Sequence, residues 1–477
     1  MQNASLPVAV IGAGPVGLAA AAHLIERGET PIVFEAGADI GANVRAWAHV
    51  RMFSPWEYTV DSASVRLLQA HGWNMPPKDE LPTGADLIDR YMRPFAALPE
   101  VQPHLHLNAR VIAVSRRHAD KMKDTGREDA PFVLHVVYAH GDEALIEARA
   151  VIDATGTWQQ PNPMGANGLP AVGEKRHHDH IAYGIPDILG EGRARYSDQR
   201  VLVVGSGHSA INALLALVEL ATYAPKTRIL WAMRRGDQAA DLRRVYGGGG
   251  DDALPARGAL GTRIQAAVAS GVVERVAPFR IREIASAADG LAVTGETNDG
   301  LHTVHADQII VAAGARPELA MLRELRLDLD PSLESTRQLA PLIDPNIHSC
   351  GTVRPHGEAE LRQPEKDFYI VGMKSYGRAP TFLLATGYEQ VRSVVAALAG
   401  DWAAASDVQL WLPETGVCST DGVDGESCCA PAVPSPAVVS FESIPVNGFA
   451  LQPIRLMPLQ VTGAADSGQC CDENCCS

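Results

Sequence analysis

Cysteine is nearly missing from most of this chain: of eight cysteines in 477 residues, only Cys350 lies before residue 401. That scarcity excludes a disulfide framework from the first 400 residues, and it excludes a pair of neighbouring thiols there. Basic residues are also outnumbered, 41 Lys and Arg against 56 Asp and Glu, for a formal net charge of −15. Nucleic acid and anionic membranes select for the opposite excess, so neither is expected as a partner. No run approaches the roughly 20 apolar residues of a membrane helix. The N-terminus lacks a basic segment followed by an apolar one, so no signal peptide is expected and the cytoplasm is the expected compartment. Aromatics are sparse at 5%, yet 46% of residues are hydrophobic and 20% charged, which gives a globular chain material for more than one core.

What is present has a repeated grammar: an apolar β-branched run, a glycine turn, then a helical pattern. Val8–Ile11 runs into Gly12 and a helix through Leu18–Ile25; Val201–Val204 runs into Gly205 and a helix through Ile211–Leu220. A third unit runs from Phe368–Val371 through Gly372 to a helix near Thr381–Ala399. Continuous apolar runs this short suit parallel strands buried on both faces, and strand–turn–helix units repeated this way predict an α/β fold. Two further strands end in glycine, Val151–Gly156 and Ile309–Gly314, and mark where the chain leaves one domain for the other. The expected organisation is two Rossmann-like dinucleotide-binding domains, one inserted into the other. Residues 1–160 form the first part of the outer domain, 161–318 the inserted domain and 319–400 the return segment. Residues 401–477 form an acidic, Cys-rich C-terminal tail.

The first turn, Gly12-Ala13-Gly14-Pro15-Val16-Gly17, has the spacing that lets a backbone approach a pyrophosphate at a helix N-terminus. Glu35 follows the next predicted strand, Pro31–Phe34, where a carboxylate can accept both ribose hydroxyls of an adenosine. The second turn, Gly205-Ser206-Gly207-His208-Ser209-Ala210, is followed by the strand Arg228–Met233, which ends in Arg234-Arg235 rather than an acid. Guanidinium groups grip a 2′-phosphate that a carboxylate would repel, so NADPH is favoured over NADH. Two nucleotide sites in one chain imply that one ligand delivers hydride and the other, a flavin, stores it. FAD is therefore assigned to the N-terminal site and NADPH to the second.

At these residues the chain resembles the flavin-containing monooxygenase-like flavoproteins, and more narrowly those of arsenic-resistance operons, over about residues 7–400. The likeness is carried by Gly12, Gly14, Gly17 and Glu35, then Trp47 and Ser54-Pro55-Trp56, Asp153-Ala154-Thr155-Gly156, Gly205, Gly207 and Ala210, and Ala312-Ala313-Gly314. It continues through Tyr369–Val391, with Gly372, Ser375-Tyr376-Gly377-Arg378-Ala379-Pro380 and Gly387-Tyr388-Glu389-Gln390. The resemblance implies that Pro15, Trp47, Thr155, Gly156, Gly314, Gly372 and Arg378 also lie against the cofactors. It departs where Ala171 and Ile181 stand in the monooxygenase signature around Gly173 and His177, and where Met373-Lys374 stand in place of an acid.

Without a thiol pair beside it, a reduced flavin passes electrons directly to a substrate or to oxygen, and oxygen allows one atom to be transferred to a soft centre such as S, N, Se or As(III). No catalytic side chain is singled out. His177-His178-Asp179-His180 resembles a metal cluster but sits in a polar loop, and a solvated loop is the expectation. The tail holds the other seven cysteines. Cys428-Cys429, Cys470-Cys471 and Cys475-Cys476 form adjacent pairs, with Cys418 alone. Flexible thiolate pairs suit thiophilic ions such as As(III), Hg(II) or Cu(I), and the nearby acids Asp472 and Glu473 favour protonated thiols until a metal displaces the proton. The expected partners are a small-molecule or metalloid substrate and molecular oxygen; nothing in the sequence speaks to oligomeric state. The function expected is an NADPH-dependent FAD monooxygenase acting on a soft centre. Two alternatives stay open: a flavoprotein metal reductase resembling mercuric reductase in its tail, and a non-catalytic metalloid-binding flavoprotein.

Overall fold

The computed structural model describes residues 6–236, 245–246, 255–347, 356–380 and 382–410. The chain opens with β1 (Val8–Ile11), α1 (Pro15–Glu26), β2 (Pro31–Phe34) and α2 (Ser62–Ala70). β3 (Leu105–His106), β4 (Ala109–Arg116), β5 (Phe132–Tyr138), β6 (Glu143–Ala148) and β7 (Ala150–Asp153) follow. Next come β8 (Ile181–Tyr183), β9 (Arg200–Val204), α3 (His208–Tyr223), β10 (Arg228–Ala232), α4 (Pro255–Ala269) and β11 (Val273–Val276). β12 (Arg280–Ala287), β13 (Gly290–Thr297), β14 (Gly300–Ala306) and β15 (Gln308–Val311) complete that stretch, and the chain returns with β16 (Phe368–Ile370) and α5 (Leu384–Leu398).

These strands make the same three-layer unit twice. One five-stranded parallel sheet has the order β16-β7-β1-β2-β3 and the other β11-β10-β9-β15-β8. Alternation explains why their strands read as unbroken apolar runs. Val8 and Val10 join a core with α1 and α5, while Ala9 and Ile11 join a core with the antiparallel sheet β4-β5-β6. In the second unit Val201 and Val203 pack with α3 and α4, and Leu202 and Val204 with the antiparallel sheet β12-β13-β14. Each side chain has a buried face to fill, worth about 1.5–3 kcal/mol per valine or isoleucine.

β7 and β16 lie side by side in the first sheet, Tyr369 in register with Ile152, although the inserted unit separates them in sequence. A buried charge cluster ties the return segment to the opening one: Glu365 bridges Arg116 at 2.8 Å and Arg127 at 2.7 Å, and accepts the Arg326 N–H. Burial alone would raise the Glu365 carboxyl, yet the hydrogen bonds from Arg127 and Arg116 hold it below its ordinary value. A second buried contact joins α1 to α2. Asp61 caps α2 by accepting the Ser64 N–H and meets His23 at 2.9 Å.

Among the described residues no helix is long and apolar enough to cross a membrane. Cys350, Cys418, Cys428, Cys429, Cys470, Cys471, Cys475 and Cys476 lie outside the described residues.

Candidate functional site

The carboxyl ends of parallel strands are where α/β sheets receive ligands, and both glycine turns lie there. In the first, the Gly12 N–H donates to the Phe34 carbonyl at 2.7 Å. Gly12 has a φ of +101°, and a Cβ on it would stand 2.9 Å from the Ala154 carbonyl oxygen. A Cβ on Gly17 would overlap the Gly12 carbonyl, so α1 could not close on its own strand. Gly14 differs from both: a Cβ there would meet nothing within 4 Å. Gly14 caps α1, Pro15 takes the first helical position, and the first turn has neither an acid nor a side-chain cap. Its N–H groups and the helix dipole thus face an open surface shaped for an anion.

Glu35 stands beside this turn. Its two oxygens accept the Ala13 and Gly37 N–H groups at 2.9 and 2.8 Å. A carboxylate has about four lone-pair positions, so the two that remain can accept ribose hydroxyls. Trp47 is half-buried against the same core, its ring closing on Gly84, where a Cβ would come within 2.8 Å.

The second turn repeats the design. Gly205 has a φ of +132° and no room for a Cβ against the Ala312 carbonyl, while a Cβ on Gly207 would meet nothing within 4 Å. Gly207 caps α3, whose first turn, His208-Ser209-Ala210, again lacks an acid. Ala210, at the third glycine position, is fully buried, so a methyl group fits where α1 needs glycine. Ser206 is half-buried beside it. Arg234 and Arg235 are exposed just after β10, and Arg234 donates to the Ala166 carbonyl at 3.2 Å. Gly314 has the Asn162 amide 3.3 Å from where its Cβ would be, and the Asn162 N–H donates to its carbonyl.

The return segment closes on the first turn. Cβ atoms on Gly372 and Gly387 would lie 3.3 and 2.7 Å from the Val16 side chain, and the Gly372 N–H donates to the Gln390 side chain at 2.7 Å. Lys374, which stands in place of an acid, is buried and donates to Asp153 at 2.6 Å and to the Thr155 hydroxyl at 3.1 Å. Gly156 follows with open space at its Cβ. Burial holds the neighbouring Tyr376 phenol well above its ordinary range. The Arg378 guanidinium meets Glu334 at 2.8 Å in a half-exposed pair, and its N–H donates to the Leu333 carbonyl.

Two contacts had no place in the sequence reading. The Trp231 indole N–H donates to the Gly205 carbonyl at 2.7 Å and fixes the second turn. The Phe53 ring lies 5.5 Å from the His208 ring, at the start of α3. Only strand alternation and proximity to the turn could have flagged Trp231; nothing local flags Phe53. The histidines of the 177–180 loop are engaged singly, His178 with Asp179 and His180 with the Asp307 carbonyl. Among the described residues no group of three or more His, Cys, Asp or Glu could hold a metal.

Both turns leave helix N–H groups open to an anion; Glu35 lies beside the first, and Arg234 and Arg235 follow the strand next to the second. The pyridine nucleotide-disulphide oxidoreductase family matches residues 9–351. A flavin-containing monooxygenase, FMO GS-OX-like 2 of Arabidopsis thaliana, is 23% identical over 241 residues, 45% of this chain and 47% of that protein. Flavin-containing monooxygenase 1 of Mus musculus is 26% identical over 237 residues, 48% of this chain and 41% of that protein. The chain thus spans less than half the length of these curated relatives. Among solved structures, a bacillithiol disulfide reductase from Bacillus cereus superposes with a TM-score of 0.61 at 18% identity, over 83% of this chain and 99% of that one. An ornithine hydroxylase from Pseudomonas aeruginosa gives 0.55 at 16%, over 83% and 99%; at such identities both speak to fold alone. With its matched stretch spanning both glycine turns, the chain belongs to the pyridine nucleotide-disulphide oxidoreductase family, as a flavoprotein oxidoreductase of the FAD and NADPH type.

Proposed function

We propose that this chain is an NADPH-dependent FAD monooxygenase that oxidises a soft centre, trivalent arsenic. In this reading residues 1–160 and 319–400 hold FAD, residues 161–318 hold NADPH, and the tail, 401–477, captures thiophilic metal or metalloid through Cys428, Cys429, Cys470, Cys471, Cys475 and Cys476. The observation that carries the reading is the cysteine count. Before residue 401 there is only Cys350, so no thiol pair in that stretch can take electrons from the flavin. Oxygen needs no such relay.

The geometry of the two turns supports the following roles. The turn at Gly14 takes the FAD pyrophosphate and Glu35 the adenosine ribose, while the turn at Gly207 with Arg234 and Arg235 takes NADPH. Flavin supplies the redox chemistry when bound; the chain supplies orientation and exclusion of water. The overall reaction balances as NADPH, a proton, oxygen and substrate giving NADP⁺, water and substrate carrying one added oxygen atom. The names of the two curated relatives support the oxygenase reading. The three adjacent cysteine pairs favour a second one, a flavoprotein metal reductase whose tail relays electrons to a thiophilic ion.

NADPH oxidation by the purified chain, followed with and without oxygen while As(III) or Hg(II) is titrated, separates the two. Oxygen-dependent turnover raised by As(III) supports the monooxygenase. Anaerobic turnover driven by Hg(II) overturns it in favour of the reductase. Tight metalloid binding with no turnover in either gas overturns both and leaves a binding protein.

A further inference from the structure

We propose that Lys374 is the positioning residue of the flavin site: its ammonium cancels the Asp153 carboxylate directly behind the phosphate turn and thereby lets FAD bind. Asp153 ends β7, an interior strand of the first parallel sheet, in register with Ile11 on one side and Ile370 on the other. It is fully buried, as is Lys374. One carboxylate oxygen accepts both the N–H and the hydroxyl of Thr155, at 3.1 and 2.7 Å. The other accepts the Lys374 ammonium at 2.6 Å, which also reaches the Thr155 hydroxyl. The three side chains form a closed ring at the carboxyl edge of the sheet.

The phosphate turn rests on that edge. A Cβ on Gly12 would meet the Ala154 carbonyl oxygen at 2.9 Å and the Thr155 Cα at 3.3 Å. Whatever fixes residues 153–155 therefore fixes Gly12. Alone, a buried carboxylate here would oppose an incoming pyrophosphate through a medium that screens poorly, and it would lack the partner that buried charges require. The paired ammonium removes both penalties. Because Lys374 arrives with the return segment, the phosphate turn becomes neutral underneath only once the outer domain is complete.

The proposal rests on the FAD assignment, and the test keeps the two apart. Apoprotein is titrated with FAD and binding is read from flavin fluorescence; the midpoint potential of the bound flavin is measured separately. Lys374→Met is expected to weaken FAD binding roughly 10- to 100-fold and to move the potential to more negative values. Lys374→Met combined with Asp153→Asn, which removes both charges, is expected to restore binding and potential towards those of the wild type. A merely structural role would make the double variant at least as weak as the single one. That result, or Lys374→Met binding FAD like wild type, overturns the proposal. If Lys374→Met does not fold, the double variant alone decides, because recovery of FAD binding without either charge is what neutralisation requires. Wild-type protein that takes up no FAD would overturn the flavin assignment and the proposal with it.

Discussion

Gly14→Ala places one methyl group on the surface that the first helix presents to a ligand, and the consequences for fold and binding can be worked separately. Gly14 already has a φ of −78°, which alanine adopts freely, and its Cβ would meet nothing within 4 Å. Losing glycine at a helix cap costs up to about 1 kcal/mol, while a less flexible unfolded chain returns about 0.4–1 kcal/mol. The apoprotein should therefore keep its stability within about 1 kcal/mol, a change in Tm of roughly 1 °C for a folded chain of this size. Binding has no such offset. The methyl group holds the pyrophosphate away from the helix N–H groups, and two charge-assisted hydrogen bonds at about 1.5–3 kcal/mol each are lost. FAD affinity should fall at least about 100-fold. Gly17→Ala makes the contrast, because its methyl group overlaps the Gly12 carbonyl and overpacking costs about 1–3 kcal/mol in the apoprotein itself. FAD titration of apoprotein, read by fluorescence, and thermal unfolding of the same samples check both halves. Retention of FAD affinity by Gly14→Ala, or a loss of stability as large as that of Gly17→Ala, would refute the assignment of this turn to the pyrophosphate.

Replacing Arg234 and Arg235 together by alanine should raise the KM for NADPH about 10- to 100-fold and leave that for NADH little changed; steady-state kinetics with both coenzymes checks it. Glu365 is held below its ordinary value of 4.5 in the folded chain, so its contribution is present above that pH and is lost as pH falls through the folded value. Glu365→Gln should cost about 3–5 kcal/mol at neutral pH by leaving two guanidiniums buried without a carboxylate, and should flatten the loss of stability below pH about 4.5 in denaturant titrations. Serine in place of Cys428, Cys429, Cys470, Cys471, Cys475 and Cys476 should weaken the response of NADPH oxidation to As(III) while bound flavin, read by absorbance, stays at wild-type level.

The strands that carry the nucleotide turns are legible in the sequence because burial on both faces leaves short uninterrupted runs: Pro31–Phe34 is read without error, and Val8–Ile11 likewise. The two antiparallel sheets are not, since their strands are covered on one face only and dilute their apolar residues with exposed ones. Asp289-Gly290 and Asp299-Gly300, which open β13 and β14, are the turn signals that could have revealed one of them. In the proposed site, the glycines and Glu35 announce themselves by spacing. The Lys374–Asp153 pair does not, because its partners come from opposite sides of the inserted unit. Arg378, in the same segment, pairs with Glu334, a partner that its spacing does not reveal.

The adjacency of β7 and β16 has a consequence for biosynthesis. A ribosome has to pass residue 370 before the first sheet can gain its outer strand, and residue 398 before α5 can cover α1. By then the segment 161–318 has been made in full. A nascent chain halted near residue 330 should hold every strand of the second parallel sheet while lacking the strand and helix that finish the first, so completion of the first sheet would be among the last events of maturation.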